Sequence, residues 1–143
     1  MTSTKKATRV RHVMRRVQML APNAEAQVES DYKRYGVLCH RLGTMVLQNG
    51  LLATIAFLYA DTRHSSGTKI LLKHIFEGFR DAGHPLGGNT LSEKMSALCQ
   101  VSEISYHAMT DEILELSVWH KRFAETILDV KQDENQNLKE ERL

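Results

Sequence analysis

Mostly apolar side chains recur every three or four positions along this 143-residue chain. The clearest run lies near its end and consists of Tyr106, Met109, Ile113, Leu116, His120, Phe123 and Ile127. This spacing places residues on one side of an α-helix, as in the contact seam of a coiled coil. The chain has no sustained alternation of the kind typical of a half-buried strand. The pattern predicts an all-α fold, with His120 as a hydrogen-bonded polar group in its core.

The same spacing divides the chain into a predicted compact bundle of five to seven helices. The predicted segments cover about residues 6–21, 23–43, 51–60, 68–81, 91–100 and 102–128. Gly43 is predicted to break or kink the second segment, with a short turn at residues 45–47 after it.

Polar residues in front of several segments are predicted N-caps, because their side chains can accept a hydrogen bond from the first turn. These residues are Asn23, Thr68, Thr90 and Ser102. Glu93, three positions after Thr90, completes the pattern of a capping box.

The longest uncharged stretch is 42–60, which approaches the roughly 20 residues needed to span a membrane. Polar residues interrupt it, with Asn49-Gly50 near its middle. We therefore interpret it as two buried helices joined at Asn49-Gly50, and expect no membrane contact.

One domain is predicted over residues 1–130, because a chain of this length builds a single core. Helix periodicity places Phe57 and Phe123 inside that core. Residues 131–143 are polar and are predicted to be a frayed tail.

Charge is distributed unevenly along the sequence. Residues 1–80 contain 13 Lys and Arg against 5 Asp and Glu, whereas residues 81–143 contain 6 against 12. This split is typical of a side that faces a polyanion, or of copies that associate through unlike surfaces. Charge scattered over solvated helix faces is the third interpretation.

The chain lacks the residue patterns of a catalytic or metal site. Its seven histidines do not pair at helical spacing, and neither cysteine belongs to a zinc motif. Nucleophile motifs are also absent. We therefore predict no enzyme activity, no metal and no cofactor. Two cysteines without a secretory segment are typical of reduced thiols in the cytoplasm.

Basic residues off the apolar stripes are the remaining candidates for function. They are Arg11, Arg15, Arg16, Lys33, Arg34, Arg41, Lys121 and Arg122. A surface of this kind binds phosphates by counterion release and does not read base sequence. These eight side chains are the predicted contacts with phosphates.

Two segments carry a family resemblance. Residues 32–60, YKRYGVLCHRLGTMVLQNGLLATIAFLYA, and residues 106–128, YHAMTDEILELSVWHKRFAETIL, resemble the small helical subunit of the type III-B (Cmr) CRISPR effector complex. The resemblance covers roughly residues 5–130. Where that family often has a proline, this chain has Gly43-Thr44.

The resemblance implies a non-catalytic role in antiviral defence. Members of this family stack in short filaments beside the backbone subunits, with the large subunit as a further partner. They line the groove where target RNA pairs with guide RNA. The resemblance also implies contacts with those subunits, with further copies of the chain and with both RNAs. The eight basic side chains are then the predicted RNA contacts.

Two other classes of function remain open. A helical module could bind protein partners and make no contact with nucleic acid, and salt-dependent RNA binding would separate this class from the first. An enzyme is the third class and ranks last, because the sequence offers neither a nucleophile motif nor a metal site.

Overall fold

The computed structural model describes residues 2–20 and 29–131, with side chains for 5–20 and 32–131. This part of the chain forms helices and no strands. The helices are α1 Thr2–Leu20, α2 Glu29–Asn49, α3 Leu51–Asp61, α4 Ser66–Asp81, α5 Leu91–Leu98 and α6 Glu103–Thr126. The predicted all-α fold of five to seven helices is confirmed. The Asn23 cap and the tail beyond Lys131 lie outside the described residues.

Helix α2 is the centre of the bundle, packed against α3, α4 and α6. Its residues 35–40 are buried in succession, so that more than one of its faces is covered. Helix α6 packs on α1, α2, α3 and α4. Its predicted seam faces inward, with Met109, Ile113, Leu116 and His120 buried and Phe123 half-buried against the same core.

Helix α2 continues through Gly43, where a break or kink and a turn were predicted. The reason lies in the neighbouring helix: a Cβ on Gly43 would stand 2.9 Å from Ser117 Oγ of α6. Glycine at this position lets two helix backbones approach closely. The chain breaks instead at Gly50, which has a φ of 86° and stands in front of α3. The predicted junction at Asn49-Gly50 is therefore confirmed.

Two of the three predicted caps within the described residues hold. Thr90 accepts from the amide of Glu93 at 3.1 Å, and Ser102 accepts from the amide of Ser105 at 3.2 Å. The cap of α4 is Ser65, three residues before the predicted Thr68. Thr68 lies inside the helix, where its buried hydroxyl donates to Asp61.

Helix α3 is buried on one side only, so the prediction of a buried helix with Phe57 in the core is wrong for its other side. Leu51, Thr54, Ile55 and Leu58 are buried, whereas Phe57 is 41% exposed. Ala53, Ala56 and Ala60 are exposed on the same side as Phe57. An all-apolar sequence does not indicate which side of a helix is covered. No helix among the described residues is long and apolar enough to cross a membrane.

The segment after α6 turns back onto α2. Val130 is 3% exposed and packs on Gly36, where an added Cβ would come within 2.5 Å of it. The Nε2 of His40 lies 2.8 Å from the Val130 carbonyl, to which it donates a hydrogen bond. Residues 128–130 are therefore part of the packed bundle.

Candidate nucleic-acid interface

Arg16 and Arg34, which belong to the eight predicted RNA contacts, form ion pairs within the chain. Arg16 donates to Glu77 at 3.0 Å and to Asp81, and its side chain is 11% exposed. Arg34 donates to Asp61 at 3.0 Å, with 13% of its side chain exposed. These guanidinium groups join α1 to α4 and α2 to the end of α3.

Both ion pairs persist at neutral pH because their acidic partners stay ionised. Burial alone would raise the pKa of Asp61, but hydrogen bonds from Arg34 and Thr68 outweigh it and hold that pKa below the ordinary value. The pKa of Asp81 is lowered in the same way, by Arg16 against the effect of burial. The two arginines are therefore committed to the fold.

On α1, the remaining predicted contacts are accessible. Arg11 and Arg15 are exposed, and neither side chain forms an ion pair with a residue whose side chain the structure describes. They lie on the side of α1 opposite its buried residues Val13 and Val17. This side can contact phosphates without breaking an internal interaction.

On α2 and α6, three predicted contacts lie at the same height along the helix pair. The pair His40–Glu125, at 3.8 Å, and the approach of Gly43 to Ser117 fix how the two antiparallel helices are aligned. Residue 41 lies between His40 and Gly43 on α2, and residues 121 and 122 lie between Ser117 and Glu125 on α6. Arg41 and the Lys121–Arg122 pair therefore occupy the same level of the α2–α6 pair.

The side chains at this level differ in exposure. Arg122 is exposed, and its guanidinium lies 4.8 Å from the centroid of the Trp119 ring, within range of a cation–π interaction. Lys121 and Arg41 are half-buried, and Lys33, nearer the start of α2, is exposed. Arg122 therefore presents its charge from a position that packing partly fixes.

Arg9 was not predicted as a functional residue, and it makes a strong ion pair. Its Nε and Nη2 each donate to Glu112 at 2.7 Å, and the Glu112 side chain is 10% exposed. The hydrogen bond to Glu112 raises the pKa of Arg9. Because α1 belongs to the basic part of the sequence and α6 to the acidic part, this pair neutralises some of the charge split inside a single copy.

A basic groove on the outer side of α4 was also missed. It has a volume of about 760 Å³ and lies between α4, the end of α3 and the segment leading into α5. Its basic side chains are Arg63, Lys69, Lys73, Arg80 and Lys94. Tyr59 is half-buried in its lining, and Phe76 is buried beneath. Cations around an aromatic lining are typical of sites that bind single-stranded nucleic acid.

The sequence contained a signal for this groove. Lys69, Lys73 and Arg80 stand at positions i, i+4 and i+11 of α4, on the side opposite its buried leucines and phenylalanines. Such residues share one helix face. Their combination with Arg63 and Lys94 depends on how the loops fold, which spacing within one helix does not predict.

A buried polar cluster lies where α2, α4 and α6 meet. The Tyr35 hydroxyl lies 2.7 Å from Nδ1 of His74 and 3.2 Å from Nδ1 of His120. Since a hydroxyl has one hydrogen, it donates to one ring and accepts from the other. Burial lowers the pKa of His74 to about 4 and that of His120 to about 3, so both rings are neutral at pH 7.

This cluster holds the core together and does not reach the groove. Tyr35 and His120 are fully buried, and none of the three side chains lines the groove. The prediction that His120 is a core polar group is confirmed for its Nδ1, whereas its Nε2 has no hydrogen-bond partner among the described residues. Within the described part of the chain, His, Cys, Asp and Glu side chains form no group suited to a metal ion.

Comparison with known proteins gives the family. The crystal structure of a CRISPR-associated Cmr5 family protein from Thermus thermophilus matches this fold with a TM-score of 0.62. It has 21% sequence identity, and the match covers 89% of this chain and 98% of that chain. No curated protein sequence matches the chain significantly. A family profile described as CRISPR-associated protein (Cas_Cmr5) matches residues 5–127, and so this chain belongs to the Cmr5 family of CRISPR-associated proteins.

Proposed function

We propose that this chain is a non-catalytic, RNA-contacting subunit in a type III-B effector complex that acts in antiviral defence. By family, the chain is a small subunit of a Cmr CRISPR complex. In the proposal it stacks beside the backbone subunits, near the large subunit and further copies of itself. Its basic surface contacts the backbones of guide and target RNA.

The observation that carries this proposal is the set of basic side chains left accessible after the internal ion pairs form. Arg9, Arg16 and Arg34 are held by carboxylates. Arg11, Arg15 and Arg122 remain exposed, and Lys121 is half-buried beside Arg122. Phosphates are the ligands that such side chains attract, whatever the base sequence. A subunit that accepts any target needs this kind of binding, because base pairing with the guide reads the sequence.

The test is the affinity of the assembled complex for target RNA over a range of salt concentrations. Lys121→Ala with Arg122→Ala is expected to weaken binding by a similar factor for every target sequence. The slope of log affinity against log salt concentration should become less steep. It should fall by roughly 0.7 for each phosphate of a single strand that the variant no longer binds, and by more for a duplex. A matched control is Lys5→Ala with Lys6→Ala, which removes the same charge from an exposed part of α1. Equal affinities and parallel salt lines for the wild type and the first variant would contradict the assignment of this pair.

A protein-binding module is the second candidate, favoured by the exposed apolar side of α3. Ala53, Ala56, Phe57 and Ala60 form an uncharged patch that no described residue covers. Such patches mark contacts with protein partners. In the same experiment, a complex that assembles normally and whose RNA affinity is unaffected by loss of basic residues would favour this candidate.

A further inference from the structure

The groove on α4 has the features of a built site. Lys69 and Arg80 are eleven residues apart on one helix, a distance of about 16 Å along its axis at 1.5 Å per residue. Lys73 lies between them, so that three cations are spread along one wall. A volume of about 760 Å³ lies within the usual range of ligand pockets.

The opposite wall is held in place by hydrogen bonds. Lys94 Nζ donates to the carbonyl oxygens of Leu86 at 3.1 Å and Gly88 at 3.0 Å, which fixes the segment before α5. Thr90 and Glu93 cap α5 immediately behind it. Gly88 has a φ of 95°, and an added Cβ would come within 2.3 Å of Glu93. The wall is therefore a packed turn whose shape is defined without a ligand.

The charge in the groove is largely uncompensated. Arg63, Lys69 and Lys73 are exposed, and their side chains form no ion pair with any described residue. Glu77 is the one acidic residue in the lining, and its carboxylate accepts from Arg16 at 3.0 Å. An anion entering the groove meets Arg63, Lys69 and Lys73 free of internal ion pairs. Arg80 Nη2 lies 3.4 Å from Oδ1 of Asp81, and Lys94 is held by two carbonyl oxygens.

We propose that this groove binds an unpaired stretch of single-stranded RNA, with its phosphates on Lys69, Lys73 and Arg80 and one of its bases packed against Tyr59. The inference rests on the proposed function and names the form of RNA that this part of the surface takes. An unpaired strand can place a base against an aromatic side chain below the rim, since its bases are not stacked in a helix. A duplex reaches only the cations of the rim, because its bases are turned inward.

An acidic peptide would also be attracted by the cations, and the lining favours RNA over it. Beside Tyr59 the groove is lined by Thr62, Asn89 and Ser92, and the Thr62 hydroxyl, which donates to the Tyr59 carbonyl at 2.6 Å, can still accept. Hydroxyl and amide groups both donate and accept hydrogen bonds, as the edges of bases require. A chain of carboxylates needs donors alone.

The experiment compares variants of the full chain for binding to a labelled oligouridylate of about 12 nucleotides, a length within the site sizes of single-strand binding domains. An RNA duplex of the same length and polyglutamate serve as competitors. Lys69→Ala with Lys73→Ala is expected to make the plot of log affinity against log salt concentration less steep. The slope should fall by about 1.4, or roughly 0.7 for each of two phosphate contacts. Lys5→Ala with Lys6→Ala, of equal charge, is the control and should change binding little.

Tyr59→Leu separates stacking from charge, because it keeps an apolar side chain and removes the ring. It should weaken single-strand binding by about fivefold or more and leave duplex binding unchanged. Circular dichroism and thermal melting check that each variant is folded. Equal losses for single strand and duplex, or displacement of the oligonucleotide by polyglutamate as readily as by RNA, would overturn the inference.

The outcomes also distinguish the groove from the proposed function. If the groove variants bind as the wild type does while Lys121→Ala with Arg122→Ala weakens the assembled complex, the groove is excluded and the proposed function stands. If the groove variants lose RNA binding and the Lys121–Arg122 variant keeps it, the groove proposal stands and the RNA-contacting surface is centred on α4. If neither set has an effect, the groove proposal is wrong and so is the assignment of the Lys121–Arg122 pair, and the proposed RNA contact then depends on Arg11 and Arg15 alone.

Discussion

Two sides of this bundle use their basic side chains in different ways. Where α1 packs on α6, Arg9 and Glu112 neutralise each other in a half-buried pair. Where α4 borders the groove, Lys69 and Lys73 face open space. These three cations all come from the basic part of the sequence, residues 1–80. The difference teaches that a count of charges indicates a binding surface only after the internal partners of each charge are known.

Phenylalanine substitutions give the largest expected contrast, between the inner side of α4 and the outer side of α3. Phe79 is fully buried, and Phe79→Ala should lower the free energy of unfolding by about 3–5 kcal/mol. Phe57 is 41% exposed, and Phe57→Ala should cost less than about 1 kcal/mol. Urea denaturation measures both. Equal losses would mean that α3 is covered on its outer side.

The Arg9–Glu112 pair gives the next largest effect. Glu112→Ala leaves a half-buried guanidinium without its bidentate partner, and we expect a loss of about 3 kcal/mol in the free energy of unfolding. Asp111→Ala is the matched control, since Asp111 is the adjacent residue of α6 and is exposed. It should change stability by less than about 0.5 kcal/mol. If the two variants melt alike, the pair contributes nothing beyond a surface charge.

Acid should destabilise the buried polar cluster of Tyr35, His74 and His120, which lies between α4 and α6. His74 and His120 have pKa values of about 4 and about 3 in the folded chain, below the ordinary value of 6.5, because burial disfavours their charged forms. The unfolded state then binds more protons, and stability is complete above about pH 6.5 and falls as the pH is lowered from there. The slope for each ring should approach about 1.4 kcal/mol per pH unit near pH 5, where the ring is charged in the unfolded state and neutral in the folded state.

The measurement is urea denaturation at a series of pH values for the wild type and His74→Gln. In the variant, the free energy of unfolding should depend less steeply on pH, because only one buried histidine remains. This should hold even if the stability of the variant at pH 7 is lower. His107→Gln, at an exposed position of α6, is the control and should keep the slope of the wild type. An unchanged slope in His74→Gln would show that the ring is not buried as the structure has it.

Sequence reasoning succeeded for features that depend on residues close together. The Thr90–Glu93 cap and the junction at Gly50 follow from a few neighbouring residues and were predicted correctly. The prediction for Gly43 was wrong because the role of that glycine depends on Ser117, more than seventy positions away. The interior position predicted for Phe57 was wrong for a related reason, since only the packing of other helices decides which side of α3 is covered.

The candidate site was predictable to a smaller extent. Basic residues off the apolar stripes were recognised on α1, α2 and α6, yet Arg16 and Arg34 turned out to bind carboxylates of the same chain. The exposed lysines of α4 were overlooked, because spacing within one helix does not show that a loop will close a groove over it. Contacts between residues far apart in the sequence therefore decide which charges are neutralised within the chain and which ones together line a groove.

The return of residues 128–130 onto α2 fixes where this protein can be cut or extended. Val130 fills the space over Gly36, and its carbonyl accepts from His40. A shortened version that ends with the last turn of α6, at Thr126, would therefore open a hollow against the central helix and leave an imidazole N–H without its acceptor. An affinity tag or fluorescent partner attached after Lys131 keeps this closure intact, whereas one fused directly to the helix would place foreign residues where Val130 belongs.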